Sequence, residues 1–465
     1  MKGLLFLKWL FFSLSILTIP VPSTAKETQS ISQKHDVLTT LINQVLQWRE
    51  TQMSSQHSDT TFGLHTVLAG VLCFVASSIS SAGGVGGGSL FLPILNLVAG
   101  LDLKKATTFS AFMVTGGSIS NVMYNMCFKK SLIDYDIALL SQPCMLLGVS
   151  VGVISNVVFP EWLMTALFVL FLGCSTYKTC RAGVSCWKAE SENVERHGCV
   201  KLESGLLNGE GERESESGLR EPLLEEEEEM GRDMVVRLKK NGLLIAIWVA
   251  FFVVHLLRGD KHGESLLPIE QCGVVYWLLS GLQIPLTVVF TAYILYQQGR
   301  GQHQSIDRHE DNKNVTMHSG IRSLSKFTFP VAALISGVLG GLFGIGGGLV
   351  MNPVLLQIGV PPQITAATTS FMVFFSSSMS SFQYLTLGMK GINHALIFAA
   401  LCFLASLIGL VLIQKLVGRL GRASLIIFSV SIVMALSTVS ITCFGAIDVW
   451  TDLKNGKYMG FKLPC

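Results

Sequence analysis

The chain has 465 residues, half of them apolar and only 14% charged, where a soluble domain carries about 25%. Mean hydropathy is +0.52 and the net charge is +3. This is the composition of an integral membrane protein and excludes an ordinary soluble enzyme. No basic stripe with interleaved aromatics is present, which argues against nucleic acid as a partner.

The N-terminus reads as a secretory signal over residues 1–25. Lys2 and Lys8 form a positive start, Leu10 to Ile19 is apolar, and Ser23-Thr24-Ala25 offers small residues for cleavage. The apolar run is short for a span, which needs about 20 residues. Residues 26–61 form a polar, non-cytosolic segment. Apolar segments follow near 62–82, 88–100, 106–127, 137–158 and 161–179, which make a first transmembrane repeat over 62–180. Residues 181–241 read as an acidic, disordered cytosolic loop around Glu225–Glu229. Two linking helices are expected in 242–296 and a polar cytosolic loop in 297–327. A second repeat over 328–445 has segments at 328–345, 347–358, 365–387, 393–416 and 422–445, and 446–465 is a tail. Backbone in lipid must satisfy its own hydrogen bonds, so all these segments are expected to be helices. Those at 88–100 and 347–358 are too short to span and read as half-helices.

A glycine motif introduces each half-helix. Gly83-Gly84-Val85-Gly86-Gly87-Gly88 leads to Pro93, and Phe343-Gly344-Ile345-Gly346-Gly347-Gly348 leads to Pro353. At a constant offset of 260, 12 of the 41 positions from 84 to 124 are identical, among them Pro93/Pro353 and Tyr124/Tyr384. Glycine-rich composition does not supply Pro and Tyr in register, so the chain is an internal duplication. Seven apolar segments separate the two starts, an odd number, so the halves are expected to enter from opposite sides. Such inverted repeats with matching helix breaks are the sequence mark of a transporter, with its site at the breaks. The loops expected in the cytosol carry 21 Lys/Arg and the non-cytosolic segments 11, in keeping with the positive-inside rule.

Asp102, Asp134, Asp136, Glu161 and Lys390 fall at segment ends, so charge is scarce at membrane depth. What remains is backbone and hydroxyl chemistry. Helices that start after Gly86-Gly87-Gly88 and Gly346-Gly347-Gly348 present unpaired N–H groups and the positive end of a dipole. A small anion needs no lysine or arginine there. The candidate substrate-binding residues are therefore Gly84, Gly86, Gly87, Gly88, Thr108 and Ser110, with Gly344, Gly346, Gly347, Gly348, Thr368 and Ser370. The hydroxyls of Thr108 and Ser110 serve equally well as helix caps, and glycine clusters also serve close helix packing. Ser376–Ser378 with Ser380 and Ser381, and Gly116, Gly117, Ser118 and Ser120, read as small packing faces. Asn96, Asn121, Gln142, Asn352 and Gln383 read as polar groups behind the site, and His255 and His394 as packed or interfacial. Most of the 11 cysteines lie in apolar stretches and read as buried hydrophobes. No zinc spacing, nucleotide loop or acid/base constellation appears, so no metal, cofactor or enzyme activity is expected.

The two glycine–proline blocks, each followed by a Thr/Ser-rich helix start, resemble the sulfite exporter TauE/SafE family, also called the toluenesulfonate uptake permease family. The likeness covers roughly 62–180 and 328–445, and the acidic loop and signal-like start look like plant members. It implies an all-α, multi-pass carrier of sulfite, sulfonates or related anions, with the glycine blocks and Thr/Ser helix starts lining the pathway. The expected partners are thus a small anionic solute and the lipid bilayer, with no statement on oligomeric state. The alternative from another class is a non-transporting membrane adaptor or receptor that acts through the central cytosolic loop, 181–241.

Overall fold

The computed structural model describes residues 64–81, 87–128, 132–204, 222–258, 273–306, 316–389, 391–420, 424–454 and 460–461. The expected signal and polar segment lie outside the described residues, as do Gly84 and Gly86. Every regular element among the described residues is helical. The first half contains α1 (Leu64–Ser81), α2 (Gly88–Leu97), α3 (Leu103–Phe128), α4 (Tyr135–Val158) and α5 (Glu161–Ser204). Two helices link the halves, α6 (Pro222–Arg258) and α7 (Val274–Ile306). The second half contains α8 (Thr316–Phe343), α9 (Gly348–Gln357), α10 (Pro362–Thr386), α11 (Ile392–Leu420) and α12 (Ser424–Lys454).

The two half-helices expected from the sequence are α2 and α9, of 10 residues each. Each is about 15 Å long, half the thickness of a bilayer core. Several other helices outrun their apolar segments. α5 continues to Ser204 and α6 begins at Pro222, inside the segment read as an acidic loop, and α7 and α8 extend likewise into 297–327. Charged straight-chain residues favour a helix as much as leucine does. Polarity therefore marks where the chain leaves lipid rather than where the helix stops.

Among the described residues, five helices are long and apolar enough to cross a membrane: within α4, α5, α6, α7 and α11. They differ in what surrounds them. The α4 window is 72% buried and that of α7 only 17%, so α4 is central and α7 faces outward. Val274, Leu278, Val288 and Val289 of α7 are more than half exposed, a surface suited to lipid chains. α3 and α10 are rich in Ser and Thr, which their central position allows, because they meet protein rather than lipid.

The halves are related by a two-fold exchange. α1 packs on α11 and α8 on α4; α2 packs on α12 and α9 on α5; α3 packs on α11 and α10 on α4. Two further pairs, α3 with α10 and α5 with α12, join equivalent helices. Exchanged contacts of this kind are the signature of a two-fold axis. Both equivalent pairs are antiparallel. Thr115 meets Ser381 (3.0 Å) while Asn121 meets Ser370 (3.3 Å). Trp187 meets Phe428 at one end of α5–α12, and Thr165 meets Gly445 at the other. The axis therefore runs across the helices, and the repeats are inverted, as the odd count of segments predicts.

Two apolar cores shield the half-helices. Phe91, Leu92 and Leu95 of α2 are fully buried in one with Phe168, Phe343 and Ile345. Met351 and Leu355 of α9, the positions matching Phe91 and Leu95, are fully buried in the other with Met145, Phe251 and Phe371. Irregular backbone at membrane depth is tolerated only where protein encloses it, and these cores provide that enclosure. Close packing comes from glycine. Gly148 and Gly152 of α4 lie against Gly337 and Gly341 of α8, with 3.0 Å from a Cβ at Gly148 to Gly337 Cα and from one at Gly152 to Gly341 Cα. The cysteines correct the sequence reading in part. Cys73 and Cys402 are buried, but Cys127, Cys174 and Cys443 are exposed on the outer faces of helices. Their surroundings read as apolar because those faces are apolar too.

The start of α4 meets α6 and α7 at one end of the bundle. Asp134 caps α4, accepting from the N–H groups of Asp136 and Ile137 (3.0 and 3.2 Å). Lys240 of α6 pairs with Asp136 at 2.8 Å, and Gln298 of α7 donates to the Asp136 carbonyl at 3.3 Å.

Candidate functional site at the two helix breaks

The two breaks have the same backbone. Gly87 caps α2 at φ 76°, ψ −8°, and Gly347 caps α9 at φ 75°, ψ −9°. Left-handed backbone of this kind suits glycine alone among common residues. In each, the N–H three residues on returns to the cap carbonyl, Leu90 to Gly87 at 3.0 Å and Val350 to Gly347 at 3.2 Å. No side chain caps either helix. The other first-turn N–H groups, which have no partner within a helix, thus receive no side-chain cap. Two dipole ends face the interior, with no basic side chain at either cap.

The breaks also touch. A Cβ on Gly88 would lie 2.6 Å from Ile345 Cα, so the start of α2 rests on the backbone of the other motif. Gly346 (φ 70°) is wedged between Val114 of α3 and Val373 of α10, whose Cγ1 atoms lie 2.9 and 2.8 Å from the position of a Cβ. Gly347 is pressed against the Met145 methyl and Ser336 (2.6 and 2.7 Å on the same measure). Gly344 (φ 62°) abuts the Thr107 carbonyl, and Gly348 opens α9 as a buried residue.

The candidate hydroxyls divide. Ser110 is buried and donates to the Gly344 carbonyl at 3.0 Å, tying α3 of one half to the break of the other. Ser370 is buried and accepts from Asn121 Nδ2 at 3.3 Å; Asn121 in turn bonds Ser81, where α1 ends before the first motif. Thr108 and Thr368 stand apart from this cluster. The Thr108 hydroxyl donates to Lys105 of its own helix (2.7 Å), and that of Thr368 accepts the Asp134 N–H (2.9 Å). The structure thus brings together Gly88, Gly344, Gly346, Gly347, Gly348 and Ser110, and leaves the two threonines on backbone duties.

Sequence reasoning assigned Ser376 to a packing face, yet it donates to the Gly346 carbonyl at 2.8 Å. Tyr384, half of the Tyr124/Tyr384 identity, donates to the Gly341 carbonyl at 2.6 Å. The repeat pointed to it, but the residue type alone gave no partner. His255 belongs to a buried polar hub rather than an interface. Its Nε2 lies 2.8 Å from Gln383 Nε2, 2.9 Å from Ser150 Oγ and 3.2 Å from Gln283 Nε2. The amide nitrogens donate, so Nε2 accepts, and the hub joins α6 and α7 to both repeats. A cavity of about 320 Å³ opens at the Asp134 end, lined by Asp134, Asp136, Arg237 and Lys240 among others. Its two carboxylates balance its two cations, so it is not by itself an anion site.

Comparison with known proteins agrees with this architecture. Residues 37–202 and 242–438 match the sulfite exporter TauE/SafE family. Sulfite exporter TauE/SafE family protein 5 of Arabidopsis thaliana is 50% identical over 97% of this chain and 98% of its own length. Family protein 2 of the same plant is 49% identical over 97% and 98%. A bacterial protein, the probable membrane transporter protein YunE of Bacillus subtilis, is 42% identical over 12% of this chain and 21% of its own length. No solved structure matches the chain. The chain belongs to the sulfite exporter TauE/SafE family of multi-pass membrane transporters.

Proposed function

We propose that the protein carries a small sulfur oxyanion, sulfite or a sulfonate, across a membrane of the secretory pathway or the cell surface by alternating access. One observation carries the reading: two half-helices of opposite repeats start at matching, uncapped glycine breaks that meet at the centre of the bundle. N–H groups and dipole ends suit an oxyanion. Inverted repeats suit a carrier in which one repeat rocks against the other. The names of the plant relatives supply sulfite as the first substrate to try. In this reading Gly84, Gly86, Gly87, Gly88, Gly344, Gly346, Gly347 and Gly348 shape the anion site. Ser110 and Ser370 fasten the moving parts, and Thr108 and Thr368 contribute indirectly.

The test is counterflow of radiolabelled sulfite in proteoliposomes of the full chain, with sulfite, sulfate and organosulfonates as competitors. Saturable exchange that sulfite or a sulfonate inhibits supports the reading. Folded protein that exchanges none of these anions refutes it.

A further inference from the structure

Buried polar side chains nearly always find a partner. Among the described residues, Gln142 is an exception on both of its atoms: it is fully buried, and neither Oε1 nor Nε2 has a hydrogen bond. The same holds for the hydroxyls of Ser141 beside it and of Ser120 and Ser380, a pair matched at the 260 offset. These four sit on α3, α4 and α10, the helices that surround the breaks. An amide held dry without a partner costs stability, so its position calls for a reason.

The depth of Gln142 supplies one. α4 and α10 run side by side in the same sense, because Asp134 meets Thr368 at one end and Ser150 meets Gln383 at the other. Gln142 is halfway between Asp134 and Ser150. The midpoint of 368 and 383 falls between Phe375 and Ser376, and Ser376 is the residue bonded to Gly346. Gln142 therefore lies level with the second glycine break. It also shares a helix face with Met145, three residues on, and the Met145 methyl is packed against Gly347, the cap of α9. An unpartnered amide and an uncapped helix N-terminus thus face the same place from two elements.

We propose that Gln142 contacts the transported anion beside the N-terminus of α9. This rests on the carrier reading above and names the group that reads the substrate. The amide offers a donor and an acceptor, so it matches an oxyanion that carries one proton, such as hydrogensulfite: Nε2–H donates to an unprotonated oxygen and Oε1 accepts from the hydroxyl. Sulfonates, which lack that hydroxyl, use the donor alone. Recognition without a positive side chain also leaves no bare charge in the membrane when the site is empty.

The test uses Gln142→Leu and Gln142→Met in the full chain, with melting temperature measured beside sulfite counterflow. The amide makes no bond within the protein, so both variants are expected to melt at or above the temperature of the unmodified chain. Loss of one or two bonds to a charged ligand is expected to raise the KM for sulfite about tenfold or more, and less for an organosulfonate. An unchanged KM overturns the assignment. So does failure of both variants to fold, or a fall in melting temperature with flux lost only in proportion to folded protein, since either shows that the amide serves the fold. Absence of exchange by the unmodified protein is a different result: it removes the carrier reading and this inference with it.

Discussion

Gly347→Ala and Gly359→Ala separate what a glycine does for the backbone from what it does for the site. Both residues have positive φ, 75° and 91°, and a left-handed non-glycine residue costs about 1–2 kcal/mol. They differ in space. A Cβ on Gly359 meets nothing within 4 Å, whereas one on Gly347 would lie 2.6 Å from Met145 Cε, 2.7 Å from Ser336 Oγ and 2.9 Å from the Ser336 carbonyl. The methionine end can swing aside, but the α8 backbone cannot. Overpacking of this order costs about 1–3 kcal/mol. Gly347→Ala is therefore expected to lose about 2–5 kcal/mol in all, and Gly359→Ala only the backbone share of about 1–2 kcal/mol. Strain at Gly347 is relieved most readily by moving α9 away from Ser336, which displaces its N-terminus from the break. The variant should then lose flux beyond its loss of folded protein. Thermal unfolding in nanodiscs and sulfite counterflow on the same preparations measure the two effects. Equal melting and equal flux for the two variants would refute the reasoning, because it assigns the difference to space at the break alone.

Three further changes test other parts of the fold. Gly281 lies inside α7 on an exposed face with nothing within 4 Å of a Cβ, so Gly281→Ala should raise stability by about 0.5–1 kcal/mol and leave flux alone; a lower melting temperature would show an unseen contact. Ser376→Ala removes the donor to the Gly346 carbonyl and should cost about 1–3 kcal/mol, the usual range for an abandoned buried acceptor, together with flux. His255→Leu removes the acceptor that the Gln283 and Gln383 amides share and should cost about 1–3 kcal/mol. Adding Gln383→Leu should then cost less than it does alone, a non-additivity that a double-mutant cycle in thermal unfolding detects.

Much of the architecture was legible because duplication is recorded in register. The offset of 260 placed both breaks, and α2 and α9 begin at Gly88 and Gly348, equivalent positions. The odd count of segments gave the inversion that Thr115–Ser381 and Asn121–Ser370 display. Helix ends were less legible, since polarity ends a span and not a helix. The candidate site was legible in its backbone geometry and not in its side-chain contacts. Thr108 and Thr368 match in sequence as well as Ser110 and Ser370 do, yet a helix presents positions two apart to different surroundings. Ser110 reaches the opposite break while Thr108 turns to its own backbone. Gln142 read only as one of several polar groups behind the site. Its meaning lies in the lack of partners at a given depth, which only packed coordinates reveal.

The scarcity of charge at the breaks has a mechanical consequence for the carrier proposed here. An alternating-access protein must return empty through the conformations it crosses when loaded. A lysine or arginine in the site would be neutralised by the anion on one leg and bare on the other, and a bare charge at membrane depth costs several kcal/mol. A helix N-terminus carries only about half a charge, spread over several N–H groups, and an amide such as Gln142 carries none. The energy of the empty site then differs little between its two orientations. Two matching dipole ends, one from each repeat, add a further property. In the proposed carrier, where the repeats would exchange roles between the two orientations, the two equivalent helix starts would offer the anion the same field from either side, so neither face of the membrane need trap it.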